Sequence, residues 1–176
     1  MKTSSITRVF APAALAAAAL VAPAPVAVAA DVSFILPAGT GCDFRLGVSW
    51  TGGNLQTKEF VDDDGNTVRL LVSGKGTVIT YTNYGFKPGR NPSAVDSITI
   101  RTDGSVTETV TNPDGTQTVT STGHNGLILF PTDEPAGPST IHYIGKVVYT
   151  VDPATGVFTL VSTSGQAIDV CAELAS

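Results

Sequence analysis

Two histidines, two cysteines and a scatter of carboxylates carry most of the chemistry open to this 176-residue chain. His124 stands in Gly123-His124-Asn125-Gly126, ahead of the apolar run Leu127 to Phe130. His142 follows Ile141 in a long segment rich in β-branched and aromatic residues that ends at Val151. The loop between them holds Pro131, Pro135 and Pro138. A histidine beside a carboxylate can work as a general base, so His124 or His142 could serve an extracellular hydrolase or isomerase. A serine hydrolase also needs a nucleophile and an orienting acid. No Gly-x-Ser-x-Gly elbow occurs, and Ser73-Gly74 and Ser164-Gly165 read as turns. The plainer reading makes His124 a surface or turn residue at a strand start, and His142 a hydrogen-bonded structural histidine. No residue is assigned a catalytic role.

Metal chemistry meets the same shortage. A zinc site takes three or four His, Cys, Asp or Glu ligands, and two histidines with both cysteines oxidised do not build one. Asp62-Asp63-Asp64-Gly65-Asn66 invites calcium. Setting Gly65 at the sixth position of an EF-hand loop puts Phe60 first and Leu71 where the closing glutamate belongs, so two essential ligands are missing. The cluster reads instead as a hairpin turn, since Asp-Gly accepts the positive φ such turns need. Neither metal nor cofactor is expected. Carboxylates suited to glycoside chemistry are plentiful, but no pair stands out.

The first thirty residues read as a secretory signal. Lys2 and Arg8 give a positive start, Val9 to Ala22 an apolar stretch, and Ala27 to Ala30 the small residues a signal peptidase requires. Pro12, Pro23 and Pro25 interrupt the run, which falls short of the ~20 apolar residues of a spanning helix. The expectation is a signal peptide over 1–30, a single secreted β domain over 31–176, and no membrane insertion after cleavage. Without Lys2 and Arg8, eight basic residues face fifteen acidic ones, a net charge near −7. Such a chain does not attract nucleic acid or an anionic membrane at long range.

Cys42 and Cys171 lie near the two ends of that domain. In a secreted protein the expected state is a disulfide, which here closes nearly the whole domain and is worth about 5 kcal/mol on the loop-entropy model.

The elements that hold these groups are strands. Phe44, Leu46, Val48 and Trp50 alternate with Arg45, Gly47 and Ser49, a period of two that buries one face. It makes Trp50 a core residue rather than a carbohydrate platform. Further strands are expected at 31–36, 67–73, 77–82, 95–101, 105–111, 116–122, 123–130, 141–151, 157–162 and 166–171. Asp62–Asn66, Gly74-Lys75-Gly76, Asp103-Gly104, Asn112–Gly115, Gly123 and Asp152–Gly156 supply the turns. Tyr84, Phe86, Lys87 and Arg90 stand in a polar-aromatic loop that could form a small recognition surface or pack on itself. Threonine lines one face of the 105–122 stretch, as a solvated antiparallel face allows. Together these predict an all-β fold, an antiparallel up-and-down meander of about ten strands closed as a barrel, with a β-sandwich as the alternative.

Cys42-Asp43-Phe44, Gly123 to Pro131, Gly145-Lys146-Val147-Val148-Tyr149-Thr150-Val151-Asp152 and Asp169-Val170-Cys171-Ala172-Glu173-Leu174 follow in that order. In this the chain resembles a family of small secreted β-rich proteins, frequent in actinobacteria, that carry no assigned activity. The resemblance spans nearly all of the mature chain. It implies secretion, the terminal cysteine pair and an all-β domain, and it transfers no catalytic residue. Two functional classes follow. One is a non-enzymatic secreted domain that binds a small apolar ligand inside a barrel or meets a cell-surface partner, with an adhesive or structural role as a variant. The other is the hydrolase or isomerase built on His124 or His142.

Overall fold

Alternation along the chain decides which face of each strand is buried, and the turns decide where strands stop. A computed structural model describes residues 32–86 and 93–176. The expected signal peptide, with its cleavage site, and Lys87 and Arg90 of the aromatic loop lie outside the described residues.

The first sheet contains β1 (Val32–Leu36), β2 (Leu46–Thr51), β5 (Val78–Asn83) and β6 (Asp96–Arg101), in that spatial order. Phe34, Val48, Tyr81 and Ile98 stand in one row across it. Trp50, Ile79 and Ile100 form the next. Ser33, Ser49, Thr80 and Thr99 face the other way.

The second sheet has six strands, ordered β10-β9-β8-β7-β4-β3. They are β3 (Asn54–Val61), β4 (Thr67–Lys75), β7 (Val106–Thr111), β8 (Gln117–Leu129), β9 (Ser139–Val151) and β10 (Phe158–Asp169). A single helical turn, α1 (Val170–Glu173), follows β10 and is capped by the Asp169 side chain.

The all-β expectation holds, with ten antiparallel strands among the described residues, but the barrel does not. Neither sheet closes on itself, so the sandwich is the better description. The pure meander fails for a related reason. β2 and β3, β4 and β5, and β6 and β7 are consecutive in the chain yet lie in different sheets. Gly52-Gly53, Gly76-Thr77 and Asp103-Gly104 therefore carry the chain between sheets rather than closing hairpins, while Ser73, Gly74 and Lys75, expected in turns, lie within β4. Two of these crossovers are stitched together: Thr77 N–H donates to Thr102 Oγ1 at 2.9 Å, and Thr102 N–H donates to Thr77 O at 2.9 Å. The Asp62–Asn66 turn does join the β3–β4 hairpin. Its Asp62 carboxylate accepts the backbone N–H groups of Asp64 and Asn66, which lower its pKa.

Gly123 and Ser164-Gly165 are not turns either. They lie inside the long strands β8 and β10, which merge segments expected to be separate. In register, Gly123 sits opposite Gly145, and Gly145 opposite Gly165. All three have positive φ, at 86°, 147° and 97°. A side chain there would strike backbone: a Cβ on Gly145 would lie 2.2 Å from Ser164 O. Three aligned glycines thus crease the sheet across β8, β9 and β10.

Two cores form, and both draw on the β8–β9 ends beyond this crease. Beyond it, the ends of β8 and β9 lie against the first sheet. Ile128, Cys171, Val170 and Leu174 pack there with Phe44, Leu46, Val48, Trp50 and Tyr81. The second core gathers Leu127, Leu129, Tyr143 and Val147 with Tyr149, Phe158 and Leu160. The proline-bearing loop closes its edge. Asp133, buried within that loop, accepts the N–H groups of Phe130 and Phe158 at 2.6 and 3.0 Å. Glu134 pairs with Thr159 beside the start of β10.

Candidate functional site

Cys42 and Cys171 are joined in a disulfide across 129 residues of chain, with Cα atoms 5.5 Å apart. The bond pins α1 to the loop after β1, within the first core. Asn83 adds a second tie, because its side-chain N–H donates to Leu174 O at 2.8 Å.

The two histidines come together. His142 and Ile144 of β9 stand opposite Gly126 and His124 of β8, and the imidazole centroids are 5.7 Å apart with planes tilted by 44°. His142 is fully buried, and its Nδ1 lies 3.3 Å from the Tyr81 hydroxyl of the facing sheet. Gly126 makes room for that hydroxyl: a Cβ at this position would lie 2.2 Å from Tyr81 Oη. His124 is half-buried, inside a strand rather than at the start of one. Its backbone is held at both ends by Ser105, whose hydroxyl accepts from His124 N at 2.9 Å and donates to His124 O at 2.7 Å.

Burial, with a smaller contribution from the like charge of His124, pulls the pKa of His142 down to about 4. Burial also raises that of Tyr81. Both groups are therefore neutral at pH 7. His124 Nδ1 and His142 Nε2 are buried without a hydrogen-bond partner. Among the described residues, no Asp or Glu bonds to either ring, and no group of three or more His, Cys, Asp or Glu is placed to hold a metal ion.

The sequence reading of His142 as a hydrogen-bonded structural residue matches this geometry. It missed Tyr81, which lies 61 positions from its partner. The only signal in the sequence is that Tyr81 shares the inward parity of Ile79. Tyr81→Phe should leave the fold intact and cost about 1 kcal/mol, because a buried imidazole nitrogen loses its one hydrogen bond. Chemical denaturation checks this; a neutral result would mean that the Tyr81–His142 contact adds nothing to stability.

Trp50 is buried in the first core, as its alternation indicated. The threonines of 105–122 divide between two faces. Thr107 is buried and shares a hydrogen bond of 2.9 Å with Ser121, whereas Thr118 and Thr120 stand opposite Val110 and Glu108.

One surface cluster was not foreseen. Phe60 of β3 lies between two cations, Lys58 Nζ at 4.8 Å and Arg69 Cζ at 4.7 Å from its ring centroid. Arg69 is in turn paired with Glu108 of β7. Seven of the eight β3 residues are exposed, and Leu55, Val61 and Val68 of this hairpin leave apolar surface in solvent. No helix among the described residues is long and apolar enough to cross a membrane. Comparison of the chain with models of protein families, with curated proteins and with solved structures finds no match.

Proposed function

We propose that this is a secreted, non-enzymatic β domain that meets a cell-surface partner through the β3–β4 hairpin. The observation behind this is the hairpin's exposure: β3 is exposed along both faces and forms the outer edge of the six-stranded sheet. Such a strand buries little within its own domain, yet it carries a preset aromatic–cation cluster on Phe60. The disulfide supports export to an oxidising compartment. The buried His142, bonded to a tyrosine rather than to a carboxylate, supports a non-enzymatic role. A small apolar ligand would require an enclosed lumen, and the open sheets do not favour that variant.

The test is saturable binding of labelled residues 31–176 to washed cells of the source organism. Phe60→Ala and Lys58→Glu should each weaken binding about tenfold with an unchanged melting temperature. Binding by both variants as tight as that of the unaltered domain, or no saturable binding at all, would sink the proposal.

A further inference from the structure

The histidine pair sits where the far ends of β8 and β9 meet the first sheet. Tyr81 approaches it from β5, and His124 and Gly126 belong to β8. On β10 the neighbour of His142 is Ile168, which does not titrate. Cys171, on α1, is locked in the disulfide. Among the described residues no anionic side chain bonds to either ring, so a charge on both would go uncompensated. The two rings lie 5.7 Å apart, His142 fully buried and His124 half-buried with its Nδ1 out of solvent, a separation at which like charges repel when little water lies between them.

From this geometry we infer that the His124–His142 pair is an acid-released latch between the two sheets. With both rings uncharged, β8 and β9 seat against Tyr81. With both protonated, that contact opens, while the disulfide keeps α1 tied to the first sheet. The opening is local because the Tyr149–Phe158 stack and the Thr107–Ser121 hydrogen bond lie across the glycine crease from both rings. The inference stands apart from the surface reading above, since neither ring belongs to the β3–β4 hairpin.

The direction with pH follows from the shift. The folded pKa of His142 lies below its ordinary value, about 4 against 6.5, so the opened state takes the proton first. The closed contact is therefore fully favoured above pH 6.5 and weakens progressively as pH falls toward 4. The hydrogen-bonded carboxylates Asp62, Asp114 and Asp152 have their pKa values lowered below 3.8, so most of their protonation lies beneath this window.

The experiment is an NMR titration of the intact, oxidised protein, whose two histidines give two resolvable imidazole signals. The expected result is loss of the nuclear Overhauser contact between Tyr81 and His142 within that window, while the Thr107–Ser121 and Tyr149–Phe158 contacts survive. His124→Gln removes the like charge. In that variant His142 should take up its proton at higher pH, and the Tyr81 contact should persist to lower pH. His142→Asn should abolish release within the window, read there by the contact between Tyr81 and Gly126, and His124→Gln alone decides the matter if that variant does not fold. Persistence of the Tyr81–His142 contact through the titration would overturn the latch. So would loss of every contact in one step, or an unchanged release in His124→Gln.

Discussion

Reduction of the Cys42–Cys171 bond, or Cys171→Ser, should lower stability by about 4–5 kcal/mol and the melting temperature by about 10–20 °C. The bond closes a loop of 129 residues, so its removal returns almost the full conformational freedom of the domain to the unfolded chain. The loss is also local. Cys42 is 1% exposed and packs in the first core with Val170 and Leu174 of the C-terminal turn, both as deeply buried. Without the bond, α1 keeps the Asn83–Leu174 hydrogen bond and a small apolar contact, too little to hold a single helical turn. Calorimetry with and without reductant, compared with the Cys42→Ser, Cys171→Ser double variant, measures the effect. A shift below about 3 °C would place the stability of the domain elsewhere.

Gly145→Val should cost about 3–4 kcal/mol and outweigh most single substitutions in either core. Gly145 is the middle member of the crease, with φ of 147°, and an added Cβ would meet Ser164 O at 2.2 Å and Gly165 Cα at 3.1 Å. Both obstacles are backbone, so no rotamer change relieves them. Gly115→Val is the control. It has positive φ as well, 85°, but nothing lies within 4 Å of the point where its Cβ would stand. It should cost only about 1–2 kcal/mol, the conformational share. The gap between the two variants measures the close approach of β9 to β10. Equal losses by urea denaturation would show that the crease tolerates a side chain and that φ alone sets the cost.

Most strand positions, though not β3 or the continuity of β8 and β10, were legible in the sequence, and where a single face is buried alternation reports it directly. Trp50 with Leu46 and Val48 shows this, whereas in the run ending at Val151 the adjacent His142 and Tyr143, on opposite faces, are both buried. Partner choice was not legible. Gly74-Lys75-Gly76 has the composition of a hairpin turn, yet β4 and β5 separate there into different sheets. Nothing local distinguishes the two cases, because the deciding contact is Thr77 with Thr102, 25 residues on. Gly123 and Gly165 misled for a related reason. Glycine marks turns and sheet bends alike, and only their cross-strand alignment with Gly145 identifies a bend. The histidine pair was half legible: its members were conspicuous, but their meeting depends on β8–β9 register, and Tyr81 arrives from another sheet.

The cross-link between Cys42 and Cys171 also decides how the domain bears tension. A force applied through the segments flanking these cysteines passes from one to the other through covalent sulfur. Strands β2 to β10, all enclosed between them, carry no load. Only β1, which precedes Cys42, is left to peel from the first sheet. A molecule pulled through its two terminal segments would therefore lengthen by little more than that one strand, and the exposed β3–β4 hairpin would lie outside the path of the load.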